Sequence, residues 1–367
     1  MAQDVLRKSP LDAAHRALGA RMVPFAGWEM PIQYGGIVEE VRAVRERAGL
    51  FDVSHMGRLF LNGPDAIALL HETLTYDAAT VAEGFGHYNL LCDEQGGILD
   101  DPYLYRIGRE RWLLVGNAAR YENDLRWLQG HRRGGQELAL DDRQAATTML
   151  ALQGPGARHV FQAVFSAELE QAVPRHACHE IELFRQKALV SRTGYTGEDG
   201  FEFVCGLDAG RSLWEALIAA GVTPCGLGAR DVLRLEAALP LYGNDIDTTT
   251  TPWEAGLGWV VSLEGDRAFE GRPALENGKG ATARRLSCIR AEERAVPRHG
   301  YAVRHEGRAV STLTSGTFSP TLNAGIGMAY LPLALAKPGT PLELEIRGRL
   351  VRATVVKRPF YRGGNRE

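Results

Sequence analysis

The sequence has little with which to cross-link itself. Its five cysteines (Cys92, Cys178, Cys205, Cys225 and Cys288) are scattered through 367 residues, and none belongs to a C-x-x-C pair. An odd, unspaced set argues for reduced, buried thiols rather than a disulfide framework. Long apolar runs are missing, so no segment reads as a membrane-spanning helix. No secretory apolar core follows Met1, and a helical pattern begins by Leu11; the expectation is a cytoplasmic, bacterial protein. Positive charge is not in surplus either. The formal net charge of −3 gives no support to a nucleic-acid or membrane partner.

Several chemical signatures are absent as well. There is no G-x-G-x-x-G or Walker pattern to cradle phosphates, and no G-x-S-x-G nucleophile elbow. Asp52, Ser54 and His55 have the residue types of a hydrolytic triad, but side chains this close along one extended segment cannot converge on one nucleophile. His176, Cys178 and His179 invite a metal reading. Strand alternation puts His176 and Cys178 on one face and His179 on the other, with no fourth ligand in sight, so no metal is assigned.

What remains is ordinary globular composition, 45% apolar and 24% charged, in a chain too long for one compact core. Two or three domains are expected. Helical spacing covers Leu11 to Val23 and, with Val38, Val41, Val44 and Ala48 on one face, Gly36 to Ala48. A helix from Pro64 to about Leu74 precedes strand-like runs at His87–Cys92, Ile98–Arg106 and Arg111–Gly116, then a helix to about His131. This order suggests antiparallel pairing with helices on one side. Further strands are expected at Ala145–Gln153, Leu189–Arg192 and Phe201–Cys205, and a helix from Gly226 to about Leu239. Beyond the threonine run Thr248–Thr251, the stretch from Arg285 onward reads as short strands between Gly and Pro turns, an all-β pattern.

Three charged groups stand where packing alone would not put them. In Gly96-Gly97-Ile98-Leu99-Asp100-Asp101-Pro102-Tyr103-Leu104-Tyr105, two acids interrupt an apolar strand after a tight turn. Alternation points Asp101, Tyr103 and Tyr105 one way and Asp100 and Leu104 the other. Pro102 holds Asp101 in an extended backbone. A solvated strand end accounts for this stretch equally well. Glu202 lies between Phe201 and Phe203, and Arg230 opposes the dipole at a helix N-terminus, where a carbonyl or anionic oxygen would be welcome.

Taken together, five motifs in order resemble the glycine cleavage T-protein family, the tetrahydrofolate-dependent aminomethyltransferases. They are Phe51-Asp52-Val53-Ser54-His55-Met56; Gly96-Gly97-x-x-Asp100-Asp101; Arg192-Thr193-Gly194-Tyr195-Thr196-Gly197-Glu198; Gly226-Leu227-Gly228-Ala229-Arg230-Asp231-x-Leu233-Arg234-Leu235-Glu236; and Ser315-Gly316-x-Phe318-Ser319-Pro320-Thr321-Leu322. The resemblance runs from about Leu11 to Phe360. It implies an α+β protein of three domains around a central folate pocket: a discontinuous α+β domain (1–50 plus 140–250), an inserted α+β domain (51–139), both with antiparallel sheets, and a linker with a C-terminal barrel-like domain (251–367).

The implied reaction moves the methylene of an aminomethyl-lipoyl H-protein to tetrahydrofolate and releases ammonia. The resemblance assigns the key acid to Asp101 and pterin contacts to Glu202 and Arg230. Pocket walls fall to Met56, Tyr105, Asn117 and Tyr195, and a folate contact near the C-terminus to Arg362 or Arg366. A carboxylate such as Glu202 can accept the adjacent amino and ring N–H groups of a pterin as a fork. Two departures stand beside the acid: Pro102 replaces the usual aliphatic residue, and Gly116 a branched or small polar one. Two other readings share the folate pocket. A folate-binding protein of the iron–sulfur maintenance type carries a cysteine within the segment equivalent to Thr193–Gly197, where this chain has none. A folate-dependent demethylase differs only in its carbon donor.

Overall fold

A computed structural model describes residues 5–363. Two sheets and a barrel carry the chain. The five-stranded sheet is antiparallel, in the order Ala139–Asp142, Gly57–Asn62, Arg111–Gly116, Tyr103–Gly108 and Phe85–Tyr88. The six-stranded sheet takes Gly49–Asp52 from before that segment and Thr147–Gln153, Cys178–Leu183, Gln186–Ser191, Gly200–Gly206 and Thr223–Cys225 from after it. Its pairings are antiparallel except that of Thr223–Cys225 with Gly49–Asp52. The all-β pattern after Arg285 closes into a six-stranded barrel running from Arg284–Ala291 to Arg349–Val356. Among the described residues no helix is long and apolar enough to cross a membrane.

Period-two burial explains the layering. Along Thr147–Gln153, Leu150 and Leu152 enter the core beneath the outer helices, while Met149 and Ala151 enter the core facing the five-stranded sheet. That second core also takes Tyr105, Leu113 and Val115 from the five-stranded sheet, so the two sheets press inner faces together.

Three expected elements break, each for a local reason. The helix expected over Leu11–Val23 stops at Ala17, because Gly19 turns at φ 74° and the chain re-enters as the strand Arg21–Phe25. The run Ile98–Arg106 splits into Ile98–Asp100 and Tyr103–Gly108, leaving Asp101 and Pro102 between two strands. His176 does not share a strand with Cys178, since its φ of 61° takes it out of extended geometry just before Cys178–Leu183. The Gly96-Gly97 turn has a packing reason beyond its tightness. A Cβ on Gly97 would lie 2.2 Å from the Thr248 carbonyl oxygen, so glycine lets the 247–250 segment seat on the strand leading to Asp101.

The Asp52–Met56 segment is pinned from behind by a buried polar chain. Asp52 accepts hydrogen bonds from the Ser9 hydroxyl and the Ser54 N–H (2.8 Å), and His15 Nε2 lies 2.8 Å from it with Tyr34 OH on Nδ1. Burial would raise the Asp52 carboxyl, but His15, Ser54 and Ser9 outweigh it and bring it down to about 2. A folded value below the ordinary 3.8 means stability present above that pH and lost as pH falls towards 2. The expected loss from this one carboxylate is about 2 kcal/mol. Acid unfolding of Asp52→Asn against wild type measures it: the variant should lack that share of the acid sensitivity.

Candidate active site

The two sheets, the helix Leu227–Glu236 and the barrel rim enclose a cavity of about 1150 Å³. Asp101, Glu202, Arg230, Tyr195, Met56, Tyr105 and Asn117 all line it, from positions far apart in the chain. Asp101 sits at the break between strands, half-buried. Its carboxylate accepts from Tyr88 OH at 2.7 Å and from Asn117 Nδ2 at 2.5 Å. Desolvation and the neighbouring Asp100 charge push it well above the usual carboxylate range, against those two hydrogen bonds.

Glu202 leaves its strand between two core phenylalanines, facing the cavity. Thr193 Oγ1 donates to its Oε2 at 2.6 Å, with Tyr105 OH at 3.4 Å. Arg230 stands in the first turns of its helix, with its guanidinium 4.7 Å from the centroid of the Tyr195 ring. Desolvation lowers its pKa and the Glu202 charge opposes that. Among the described residues no ion pair within 4.0 Å engages either Glu202 or Arg230. Two opposite charges held apart inside a shielded cavity leave recognition groups for a ligand that has both donors and acceptors.

Tyr195 is fixed by a hydrogen bond from its hydroxyl to the Pro240 carbonyl, and Tyr105 OH lies 2.6 Å from Thr193 Oγ1. Asn117 does more than form a wall: its amide bridges Asp100 and Asp101. Arg362 is exposed and does not line the cavity. Its neighbours decide this: the Tyr361 ring packs 4.2 Å from the Arg45 guanidinium, and a Cβ on Gly363 would meet the Glu198 carboxylate at 2.7 Å. Both are drawn inward, so Arg362 is turned out. Arg366 lies outside the described residues. The C-terminal arginine that does line the cavity is Arg358, which donates to the Ala238 and Ala255 carbonyls.

The residue reading missed Tyr88, whose signal was its place directly across the ladder from Tyr103. It also missed Trp259, 60% exposed at the cavity edge and packed against Tyr88 at 5.8 Å between ring centroids. Strand alternation did anticipate that Asp101, Tyr103 and Tyr105 face the same space, with Asp100 and Leu104 buried behind.

Two helix-covered sheets and a closed barrel around a cavity with separated charges and aromatic walls define a class of mixed α/β protein built to enclose a ligand. Residues 11–265 match the family described as GCVT N-terminal domain, and residues 284–362 match the glycine cleavage T-protein C-terminal barrel domain. An aminomethyltransferase from Symbiobacterium thermophilum is 47% identical over 98% of this chain and 99% of its own length. One from Geobacillus kaustophilus is 45% identical, with the same coverage of 98% and 99%. The crystal structure of glycine cleavage system aminomethyltransferase T from Bartonella henselae aligns with a TM-score of 0.91 at 34% identity, covering 98% of this chain and 99% of that one. The chain belongs to the glycine cleavage T-protein family of aminomethyltransferases.

Proposed function

We propose that this chain transfers the methylene of an aminomethyl group, carried on the lipoyl arm of an H-protein, to tetrahydrofolate, with release of ammonia. The observation that carries the reading is the pair Glu202 and Arg230, half-buried and without ion-pair partners among the described residues, in the same cavity as Asp101. The donor set suits a reduced pterin: Glu202 can accept two adjacent N–H groups, and Arg230 can donate to a ring carbonyl. Tyr105, Tyr195 and Met56 bound the ring and keep water from it.

The folate supplies a nitrogen nucleophile that accepts the one-carbon unit. Asp101 is proposed to hold a proton before the substrate binds, to pass it to the ammonia that leaves, which departs as ammonium, and then as a carboxylate to stabilise the positive charge on the methylene before the folate nitrogen takes it. Tyr88 and Asn117 keep its two oxygens aimed. The division into a discontinuous first domain (1–50 plus 140–250), an inserted one (51–139) and a C-terminal part (251–367) is offered with the same reading.

The decisive assay supplies aminomethylated H-protein and tetrahydrofolate and measures ammonia and methylene-folate together. Neither product above background would remove the proposal; methylene-folate formed from a methylated amine instead would favour the demethylase. Glu202→Ala is expected to weaken folate binding first, by about 2–3 kcal/mol for a lost charge-assisted pair. Titration calorimetry checks it, and unchanged affinity would take Glu202 out of the pterin contact.

A further inference from the structure

Behind Asp101 is a second pair of carboxyl groups that the proposed reaction leaves unused. Asp100 is wholly buried and Asp124, on the helix Tyr121–His131, is 3% exposed. Asp100 accepts from the Asn117 backbone N–H at 3.1 Å and from its side-chain amide at 2.9 Å, and the same amide reaches Asp101. Asp124 Oδ2 and Asp100 Oδ2 converge on the same space beside Gly116, so the two carboxyls face each other. Asp124 Oδ2 is buried and receives no hydrogen bond from an N–H or O–H among the described residues.

Gly116 is what allows the pair to meet. A methyl group there would lie 3.1 Å from Asp124 Oδ2 and 3.3 Å from Asp100 Oδ2, tighter than ordinary contact with both. Around the pair, the facing charged and titratable groups are Asp101, Arg120, Tyr121 and Tyr242. Arg120 forms no ion pair with either carboxyl: its Nε donates to the Leu99 carbonyl at 2.9 Å and its guanidinium lies 5.3 Å from the Tyr242 ring centroid. The Tyr121 hydroxyl is committed to Asp142 at 2.6 Å.

We propose that Asp100 and Asp124 hold one proton between them and act, through Asn117, as the positioning pair that aims Asp101 and fixes its charge. The role, though not the shared proton, rests on the reading of Asp101 as the reacting acid. Two facing carboxylates, both buried and with no cation in ion-pair contact among the described residues, cannot both be ionised. Asp100, which accepts two N–H groups, is the anion, and Asp124 is the acid that donates to it. Burial and the Asp100 charge push Asp124 up to about 10, in keeping with that assignment. A single negative charge then sits behind Asn117, whose amide is held with both protons spent on Asp100 and Asp101.

Infrared spectroscopy of the folded protein at neutral pH tests the proton directly. Besides any band from Asp101, which Asp101→Asn removes, a protonated carboxyl C=O band is expected in wild type that is lost in Asp124→Asn and retained in Asp101→Asn. A band untouched by Asp124→Asn, or missing from wild type, would overturn the proposal whether or not the protein transfers aminomethyl groups. The kinetic arm uses Asp124→Ala, expected to lower kcat by about 10- to 100-fold with KM for folate near wild type, the cost of misplacing a reacting group. Asp124→Asn, whose amide donates to Asp100 as the acid does, should restore most of that turnover. Equal damage by both substitutions would contradict the positioning role. Should Asp124→Ala not fold, Gly116→Ala pries the oxygens apart with every carboxyl still present: it should shift the band and lower kcat, and an unchanged band and kcat would count against the pair.

Discussion

Replacing Asp101 with asparagine is expected to lower turnover by about 10²- to 10³-fold, the usual cost of removing one group that stabilises developing charge. Folate affinity should stay close to wild type, because Glu202 and Arg230 are untouched on another wall of the cavity. The amide is nearly the same shape, but it carries no negative charge and cannot take a proton. It also turns a donor towards Tyr88 or Asn117, both of which donate to the carboxylate. The pH profile separates this role from a structural one. With its pKa raised by desolvation and by Asp100, Asp101 should give wild type a basic limb in kcat/KM lying above the ordinary carboxylate range. Activity falls as pH climbs through that limb, and Asp101→Asn should lose it. Steady-state rates across pH, with folate affinity measured separately, check both statements; wild-type turnover in the variant would place the reacting acid elsewhere.

The largest expected effect on stability is at Arg45, far from any reacting atom. Its guanidinium donates to Glu236 Oε2 at 2.7 and 2.9 Å, to Glu198 Oε1 at 2.7 Å and to the Thr196 carbonyl at 2.8 Å. Arg45 is 5% exposed along its side chain, Glu198 2% and Glu236 0%. Glu236 is also held by Ser319 at 2.5 Å and Thr321 at 3.0 Å, so this cluster fastens the first long helix, the glycine-rich turn and the cavity helix to the barrel. Arg45→Met would leave the Glu236 carboxylate buried without its cation, a change that costs about 3–5 kcal/mol. Denaturant unfolding should show a loss of that order, partly recovered when Glu236→Gln is added. A loss under about 1 kcal/mol, the range of an exposed pair, would mean that water reaches the cluster.

That cluster also shows how motif residues divide. Glu198, Glu236, Ser319 and Thr321 stand in three of the five motifs beside the cavity residues, and nothing in their spacing separates them from Arg230 or Tyr195. In the fold they are fasteners. Arg234 is another: it joins Asp245 at 2.6 Å and Ser315 at 2.7 Å, both buried, and ties the same helix to the barrel a second time. A signature read along the chain records that residues matter together, without recording whether they face a ligand or each other.

Local physics made much of this protein legible in advance. Period-two alternation sent Asp101, Tyr103 and Tyr105 into one space, period 3.6 found the helices that cover the sheets, and turn-separated short strands announced the barrel. Charges at Asp101, Glu202 and Arg230 were conspicuous because burial without a partner is costly. Contacts between distant segments were beyond that reach. Tyr88 meets Asp101, Asp124 meets Asp100 across the space at Gly116, and Arg358 rather than Arg362 reaches the cavity, because the packing of sheets, helix and barrel sets which side chains converge. Spacing along a backbone governs which face a side chain takes; how those faces come together depends on the whole folded volume, and it is there that two carboxyls are brought close enough to share a proton.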